Sequence, residues 1–376
     1  MKWASTAKTK RTNSISSSNA AKRRKNFIRW CWMRKHSGSR NPYRFGPFEW
    51  TAISLALQKG GVTSSVLAKK LRCSYDDARD TLCALKERGV LDARGAFTGR
   101  HESFSGGMTN YQILFFLDKE RYLLRVPGAG TRSLINRMQE YEAYRAVAGC
   151  GITDDVVFCE PDTGYKIKRF VRDARPCNPQ NVKDTKRCME LLRRLHSLDL
   201  SVSAQFDVFE KLAAYEKLCR STVLPFDGWK ETRSRVLSLR PLLKKLPHRR
   251  TLCHIDPVQD NFLFCRGGTL CLIDWEYAAM SDGDIDIAMF CIYAGYDLAQ
   301  IDRTIDLYYE CKCPAENRAK ITCYVAACAL LWTYWCEYKK KKGVSFDEYE
   351  RVQYAYACDF SSIALSRFFS LGLSEG

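Results

Sequence analysis

Acidic residues are missing from the first 46 positions, which hold 13 Lys or Arg and no Asp or Glu. The whole chain has a formal net charge of +18, so the other 330 residues carry only +5. The basic character therefore belongs to one segment, and the body is close to balanced. That segment is rich in Ser, Ala, Lys and Arg as far as Lys25 and has no core pattern, so it is expected to be a disordered tail, residues 1–46. It also lacks the apolar stretch of a secretory signal. Lys22-Arg23-Arg24-Lys25, followed by Phe27, Ile28, Trp30 and Trp32, suits an anionic membrane surface or nucleic acid; a solvated extension is the plainer reading.

Zinc-type spacing is absent too. The 18 cysteines are scattered, Cys311-x-Cys313 is the only close pair, and no His or Cys partner stands at ligand distance. Reduced thiols in the core of a cytoplasmic protein are expected. Long apolar runs are also missing. Residues 321–336 are uncharged for 16 positions, too short for a span and interrupted by Thr322, Tyr324, Thr333 and Tyr334, so they read as a buried helix. What remains is a chain of 376 residues, 46% apolar, which is enough for two domains and a sizeable core.

The densest information lies in residues 252–279. Asp256 precedes Asn261 by five positions, and Asn261 precedes Asp274 by 13. Residues 262–265 and 269–273 are β-type runs around Arg266-Gly267-Gly268, which predicts a hairpin. The hairpin returns Asp274 towards Asp256 and Asn261. One carboxylate can then orient a hydroxyl while an amide and a second carboxylate hold Mg²⁺ on ATP. Phosphoryl transfer needs this set, because its catalysis is mostly positioning and charge neutralisation.

The segment resembles the kinases of small alcohols and amines, choline kinases and aminoglycoside phosphotransferases, which share the protein-kinase-like fold. His254-Ile255-Asp256 stands where a protein kinase has H-R-D, and Asp274-Trp275-Glu276 replaces D-F-G. No A-P-E segment follows, which disfavours a protein substrate. The run from Val126 to Tyr144 is similar to that of bacterial LicA-type choline kinases, and the resemblance covers residues 104–369. It implies an α+β, bilobal fold using ATP and Mg²⁺, with a β-rich small lobe at 104–172 and a helical large lobe at 173–370. Asp256 would be the base, Asn261 and Asp274 the metal ligands, and Glu276 a helper. Asp286 would brace the catalytic loop. Arg125 would hold phosphates, paired with Glu140; Glu142 is the rival acid. Backbone around Lys168 and Phe170 would meet adenine. His196 reads as structural.

Residues 47–97 form a separate small module. Helical patterns run over 48–57 to Gly60-Gly61, then from a Ser64 cap to Leu71, then from a Ser74 cap to Gly89. Val90-Leu91 and Ala96-Phe97 flank a short wing. The pattern resembles a winged helix-turn-helix, which is also found ahead of such kinases. Its recognition helix would lead with Asp76, Asp77 and Asp80, which phosphates repel, so a docking or regulatory module is favoured over DNA reading. Strand patterns begin at Phe104. Ser105, Gly106, Gly107, Thr109 and Asn110 lie one hairpin upstream of Arg125, where glycines let backbone close over phosphates.

For the substrate, Tyr277, Trp332 and Trp335 suggest a cation box. The two tryptophans are one helical turn apart, and the resembling choline kinases have W-x-x-W here. A quaternary ammonium is recognised through ring faces, so choline or a related amino alcohol is expected. Tyr293, Tyr296 and Glu337 have less support. Asp282 and Asp284 read as caps of the next helix. Two rivals stand beside this reading. An aminoglycoside kinase would need carboxylates, and Asp347, Glu348 and Glu350 look like a solvated helix face. A DNA-binding regulator using the kinase fold as a sensor is the other. Oligomeric state is not readable.

Overall fold

The computed structural model describes residues 45–104, 110–128, 135–219 and 224–373. The chain divides into two compact units, one of Met1–Phe104 with Gln112–Leu124, the other of Ser105–Tyr111 with Arg125–Gly376. All but the last two residues of the basic tail lie outside the described residues, as do Ser105, Gly106, Gly107 and Thr109.

In the first unit, helix α1 (Pro47–Lys59) begins with a proline, whose missing N–H costs nothing in the first turn, and stops at Gly60 with φ of +72°. Helix α2 (Ser64–Leu71) is capped by Thr63 rather than Ser64: the Thr63 hydroxyl accepts the Val66 N–H from an extended backbone. Helix α3 (Tyr75–Glu87) has the Ser74 cap as expected, with Oγ accepting the Asp77 N–H at 3.0 Å. Leu91 then bridges Phe97 antiparallel, and the Asp92 carboxylate closes the intervening turn on the N–H groups of Arg94 and Ala96. Gly95 is required there, since a Cβ would meet the Val62 carbonyl oxygen at 2.2 Å.

Strand β1 (His101–Phe104) starts three residues before the expected point and pairs antiparallel with β2 (Asn110–Leu117), His101 opposite Phe115. With β3 (Glu120–Pro127) the order in this unit is β1-β2-β3. One aromatic core joins the helices to the hairpin. Trp50 lies 5.5 Å from Tyr122, Tyr122 stacks on Phe115 at 5.5 Å, and Phe97 meets Phe115 edge-on at 5.6 Å.

Strand β3 enters the second unit at Arg125, where the order is β3-β5-β4. Strand β4 (Val156–Cys159) and strand β5 (Lys166–Arg169) are antiparallel. Helix α4 (Arg137–Val147) opens on Asn136, whose side chain accepts the N–H groups of Met138 and Gln139. The helical body follows with α5 (Val182–Ser197), α6 (Val208–Cys219) and α7 (Trp229–Leu243). Beyond the site strands come α8 (Asp284–Ala294), α9 (Leu298–Tyr309), α10 (Ala315–Lys340) and α11 (Asp347–Ser370). Helix α10 is buried without a break from Ala319 to Cys336, against α6, α8 and α11. Among the described residues no helix is long and apolar enough to cross a membrane, and every cysteine is a free thiol.

Two small β elements shape the site. Strand β7 (Arg250–Cys253) pairs with β10 (Ala279–Asp282). Strand β6 (Arg175–Pro176) pairs with β8 (Phe262–Phe264), which forms the expected hairpin with β9 (Leu270–Leu272). Gly267 and Gly268, both at φ of +86°, make its turn.

Candidate active site

The segment after β7 is held by backbone contacts. The Asp286 carboxylate on α8 accepts the N–H of His254 at 2.8 Å and of Ile255 at 2.7 Å. His196 Nε2 lies 3.0 Å from the same carboxylate, and its Nδ1 lies 2.8 Å from the Tyr308 hydroxyl. Asp286 therefore sits where a brace is needed, and His196 belongs to the interior. Asn261 ends a single 3₁₀ turn (Gln259–Asn261). Its Nδ2 donates to the Asp256 carbonyl at 2.9 Å, and its own carbonyl accepts the Ile273 N–H at 2.9 Å. These two bonds bring Asp256, Asn261 and Asp274 to one place. Asp274 has φ of +66° and Ile255 +68°. Such conformations persist only where surrounding contacts impose them.

Beside them lies an ion cluster of three cations and three acids. Arg125 grips Glu140 with both terminal guanidinium nitrogens, at 2.5 and 2.7 Å. It also reaches Glu276 at 3.3 Å and Asp274 at 3.7 Å. Arg137 bonds Glu140 at 2.9 Å and Glu276 at 3.0 Å. Lys166 bonds Glu140 at 2.9 Å, Asp274 at 3.1 Å and the Tyr144 hydroxyl at 2.9 Å. Burial alone would raise the pKa of Glu140, but Arg125, Lys166 and Arg137 outweigh it and hold the carboxyl far below its usual range. Burial likewise opposes Asp274 ionisation, and Lys166 and Arg125 reverse that. Glu276 goes the other way: burial, aided by Asp274, pushes it up to about 7.

Glu140 faces the cations as expected. The rival Glu142 is half-buried and accepts the Ser203 N–H at 3.2 Å. Lys166 and Arg137 were not singled out from the sequence. Two weak signals were available: Arg137 stands three residues before Glu140 on one helix face, and Lys166 alternates with Lys168 across Ile167, so period 2 puts both lysines on one strand face. Lys168 itself pairs with Asp154 at 2.9 Å, and Phe170 follows the end of β5. Asn110 opens β2, with Oδ1 3.5 Å from the Gly128 N–H.

The predicted aromatic residues do meet. Tyr277 stands edge-on to Trp332 at 5.9 Å, Tyr293 is tilted to it at 5.9 Å, and Trp335 is edge-on at 5.8 Å. Tyr293 also donates its hydroxyl to Asp256 Oδ1 at 2.6 Å. Burial pushes the Asp256 carboxyl up to about 8, against the pull of that hydrogen bond.

Other expectations move. Tyr296 bonds Thr185 and the Pro179 carbonyl, not the ring cluster. Glu337 pairs with Lys341. The N-cap of α8 is Gly283, not either aspartate; Asp282 accepts the Asp284 N–H at 3.1 Å, and both carboxylates grip the buried Lys320, at 2.7 and 3.0 Å. Glu350 is not on a solvated face but buried, 5% exposed, because α11 packs that side on its neighbours.

The model of the choline/ethanolamine kinase family matches residues 101–319. The chain belongs to the choline/ethanolamine kinase family. The LicA protein of Haemophilus influenzae is 26% identical over 262 residues, covering 65% of this chain and 75% of LicA. A choline kinase LicA from Streptococcus pneumoniae has a TM-score of 0.64 at 24% identity, covering 77% of this chain and all of that one. A LicA structure in complex with AMP has a TM-score of 0.63 at 25% identity, covering 75% and 98%. As a choline/ethanolamine kinase family member with the mixed α/β protein-kinase-like fold, the chain is an ATP-dependent phosphotransferase acting on an alcohol. The family match takes in Asp256, Asn261 and the ion cluster and stops before Trp332 and Trp335.

Proposed function

We propose that this kinase phosphorylates the hydroxyl of choline, giving phosphocholine. The observation that carries the reading is the Tyr293 bridge: its ring belongs to the aromatic cluster and its hydroxyl holds Asp256 at 2.6 Å. An ammonium recognised by ring faces would thus keep its own alcohol arm near the one carboxylate poised to take a proton. Asp256 orients that hydroxyl and accepts its proton as the oxygen attacks the terminal phosphorus of ATP, whose bond to the β,γ-bridging oxygen breaks to release ADP.

The donor set suits a hard divalent cation. Asn261 uses its amide nitrogen on the Asp256 carbonyl, which leaves its oxygen for a metal. The Asp274 side chain is 35% exposed, the most open acid of the cluster. Asn261 and Asp274 would hold Mg²⁺, with Glu276 as the helper. The ion would neutralise charge on the phosphates when bound. Arg125 and Lys166 add positive charge for the nucleotide, and Glu140 fixes both cations. Backbone near Lys168 and Phe170 meets adenine. Ser105, Gly106, Gly107 and Thr109, outside the described residues, complete the phosphate side with Asn110.

Residues 47–97 are read as a winged helix-turn-helix module in a docking or regulatory role, supported by three helices followed by the Leu91–Phe97 bridge. DNA contact is disfavoured: Arg79, the cation of the α3 first turns, is held by Asp76 and Asp80. The kinase lobes are assigned to 104–172 and 173–370, the compartment is cytoplasmic, and the tail is a candidate contact for anionic membrane.

The test is phosphate transfer from ATP, with and without Mg²⁺, to choline, ethanolamine and a panel of aminoglycosides. Choline should have the highest kcat/KM. Preference for an aminoglycoside would overturn the reading, and turnover without divalent metal would remove Mg²⁺ from it.

A further inference from the structure

The C-terminal end of α10 carries four lysines in a row, and they are not alike. Lys340 pairs with Asp347 at 2.8 Å, and Lys341 with Glu337 at 3.3 Å. Lys342 is exposed, its ammonium 5.6 Å from the centre of the Tyr338 ring. Lys339 is 5% exposed, and among the described residues no carboxylate stands within ion-pair distance of it. Its ammonium lies over the ring of Trp335, 5.3 Å from the centre.

A lysine so little exposed with no carboxylate partner is unusual. Position explains the contact, because Lys339 follows Trp335 by four residues and Trp332 by seven, so all three share one helix face. Trp335 is already crowded by Phe346 at 5.2 Å and by Trp332 edge-on. A substrate cation arriving at Trp332, Tyr277 and Tyr293 would find a like charge on the next ring.

We propose that Lys339 is a specificity-determining residue of the cation pocket: its ammonium occupies Trp335 as an internal cation and weakens the binding of cationic alcohols in proportion to their charge. Burial holds the Lys339 pKa below its ordinary value, the distant Glu276 only partly offsetting this, as fits an ammonium that lacks a counter-ion. The proposal rests on the amino-alcohol reading above and adds a penalty that the aromatic residues alone would not supply. The Trp332 and Trp335 ring centres are 5.8 Å apart, and repulsion between like charges on neighbouring rings of a part-buried site is large enough to register in KM.

The experiment compares the full-length wild type with Lys339→Met and Lys339→Arg, using choline and its uncharged carbon isostere 3,3-dimethylbutan-1-ol. In Lys339→Met the choline KM should fall by roughly three- to tenfold, with kcat and the ATP KM within about twofold. The isostere's KM should not move, and Lys339→Arg should behave as wild type. An unchanged or higher choline KM in Lys339→Met overturns the proposal, and so does an equal gain for the isostere, which would mean packing rather than charge. Lys339→Gln is made in parallel, so that a poorly folded Met variant does not decide the matter. Titration of tetramethylammonium by tryptophan fluorescence needs no turnover. If the wild type phosphorylates no choline, the functional reading fails, yet tighter tetramethylammonium binding by Lys339→Met still supports the internal cation. Equal binding, or none by either protein, removes it.

Discussion

The Asp286 carboxylate accepts the N–H of Ile255 at 2.7 Å, and Ile255 holds φ of +68°. A β-branched residue in the left-handed region is strained by about 1–3 kcal/mol. The charge-assisted bond from Asp286, doubled on His254, offsets that strain and fixes the direction in which Asp256 leaves the loop.

Asp286→Asn should therefore lower kcat by at least about tenfold while leaving the ATP KM within about threefold. An amide has one acceptor oxygen where the carboxylate has two, so one N–H is left without its partner and Asp256 is less well aimed. Steady-state kinetics in both substrates, run beside a thermal melt, check this. A kcat near wild type would mean that the strained loop holds itself.

Asp256→Asn should cut turnover by roughly 10²- to 10⁴-fold and leave nucleotide affinity nearly intact. It keeps the shape and the capacity to accept from Tyr293 but cannot take a proton. Calorimetric titration of Mg-ATP, set against kcat, separates the two effects. More than half the wild-type rate would place the base elsewhere.

Much of this site was legible because its spacing is local. Asp256, Asn261 and Asp274 lie within 19 residues, joined by a hairpin whose Gly-Gly turn is visible in the sequence. The Trp332–Trp335 pair follows from helical periodicity. Arg137 was not legible as a site residue, because its i,i+3 pairing with Glu140 looks like any surface helix pair and its other partner, Glu276, is more than 100 residues away; Lys166 was not, because Asp274 is equally remote and strand lysines usually face solvent. The same limit hid the core shared by Trp50 and Tyr122: each β2–β3 residue points to one face or the other, but the sequence does not say what covers that face. The Thr63 cap was missed for a smaller reason, since Thr63, Ser64 and Ser65 are all competent caps and only backbone conformation chooses among them.

Trp332→Leu should raise the choline KM by about three- to thirtyfold, from a cation–π contribution of about 0.5–2 kcal/mol. The ATP KM should stay put. Trp332 touches Tyr277, Tyr293 and Trp335, so it is the hub of the ring set, and Trp335→Leu should cost less because that ring already carries Lys339. If both KM values rise while the melting temperature falls, the rings serve the core instead.

Glu350 gives a prediction in pH. Burial raises its pKa above the ordinary carboxylate value; Lys340 opposes the shift, while Glu337 and Asp347 add to it. An acid whose pKa is higher folded than unfolded weakens the fold when ionised. Stability should therefore be lower above the folded pKa and recover as pH falls towards the unfolded value of about 4.3. Glu350→Gln removes the charge, so its Tm should exceed wild type by roughly 1–3 °C at pH 7 to 8. The gain should shrink as pH approaches 4. The gain is limited because Glu350 lies near the start of α11, where the helix dipole favours a carboxylate by about 0.3–1 kcal/mol. Melting curves of both proteins from pH 4 to 8 decide it: a variant less stable at pH 8 than at pH 5, relative to wild type, would show that the dipole outweighs burial.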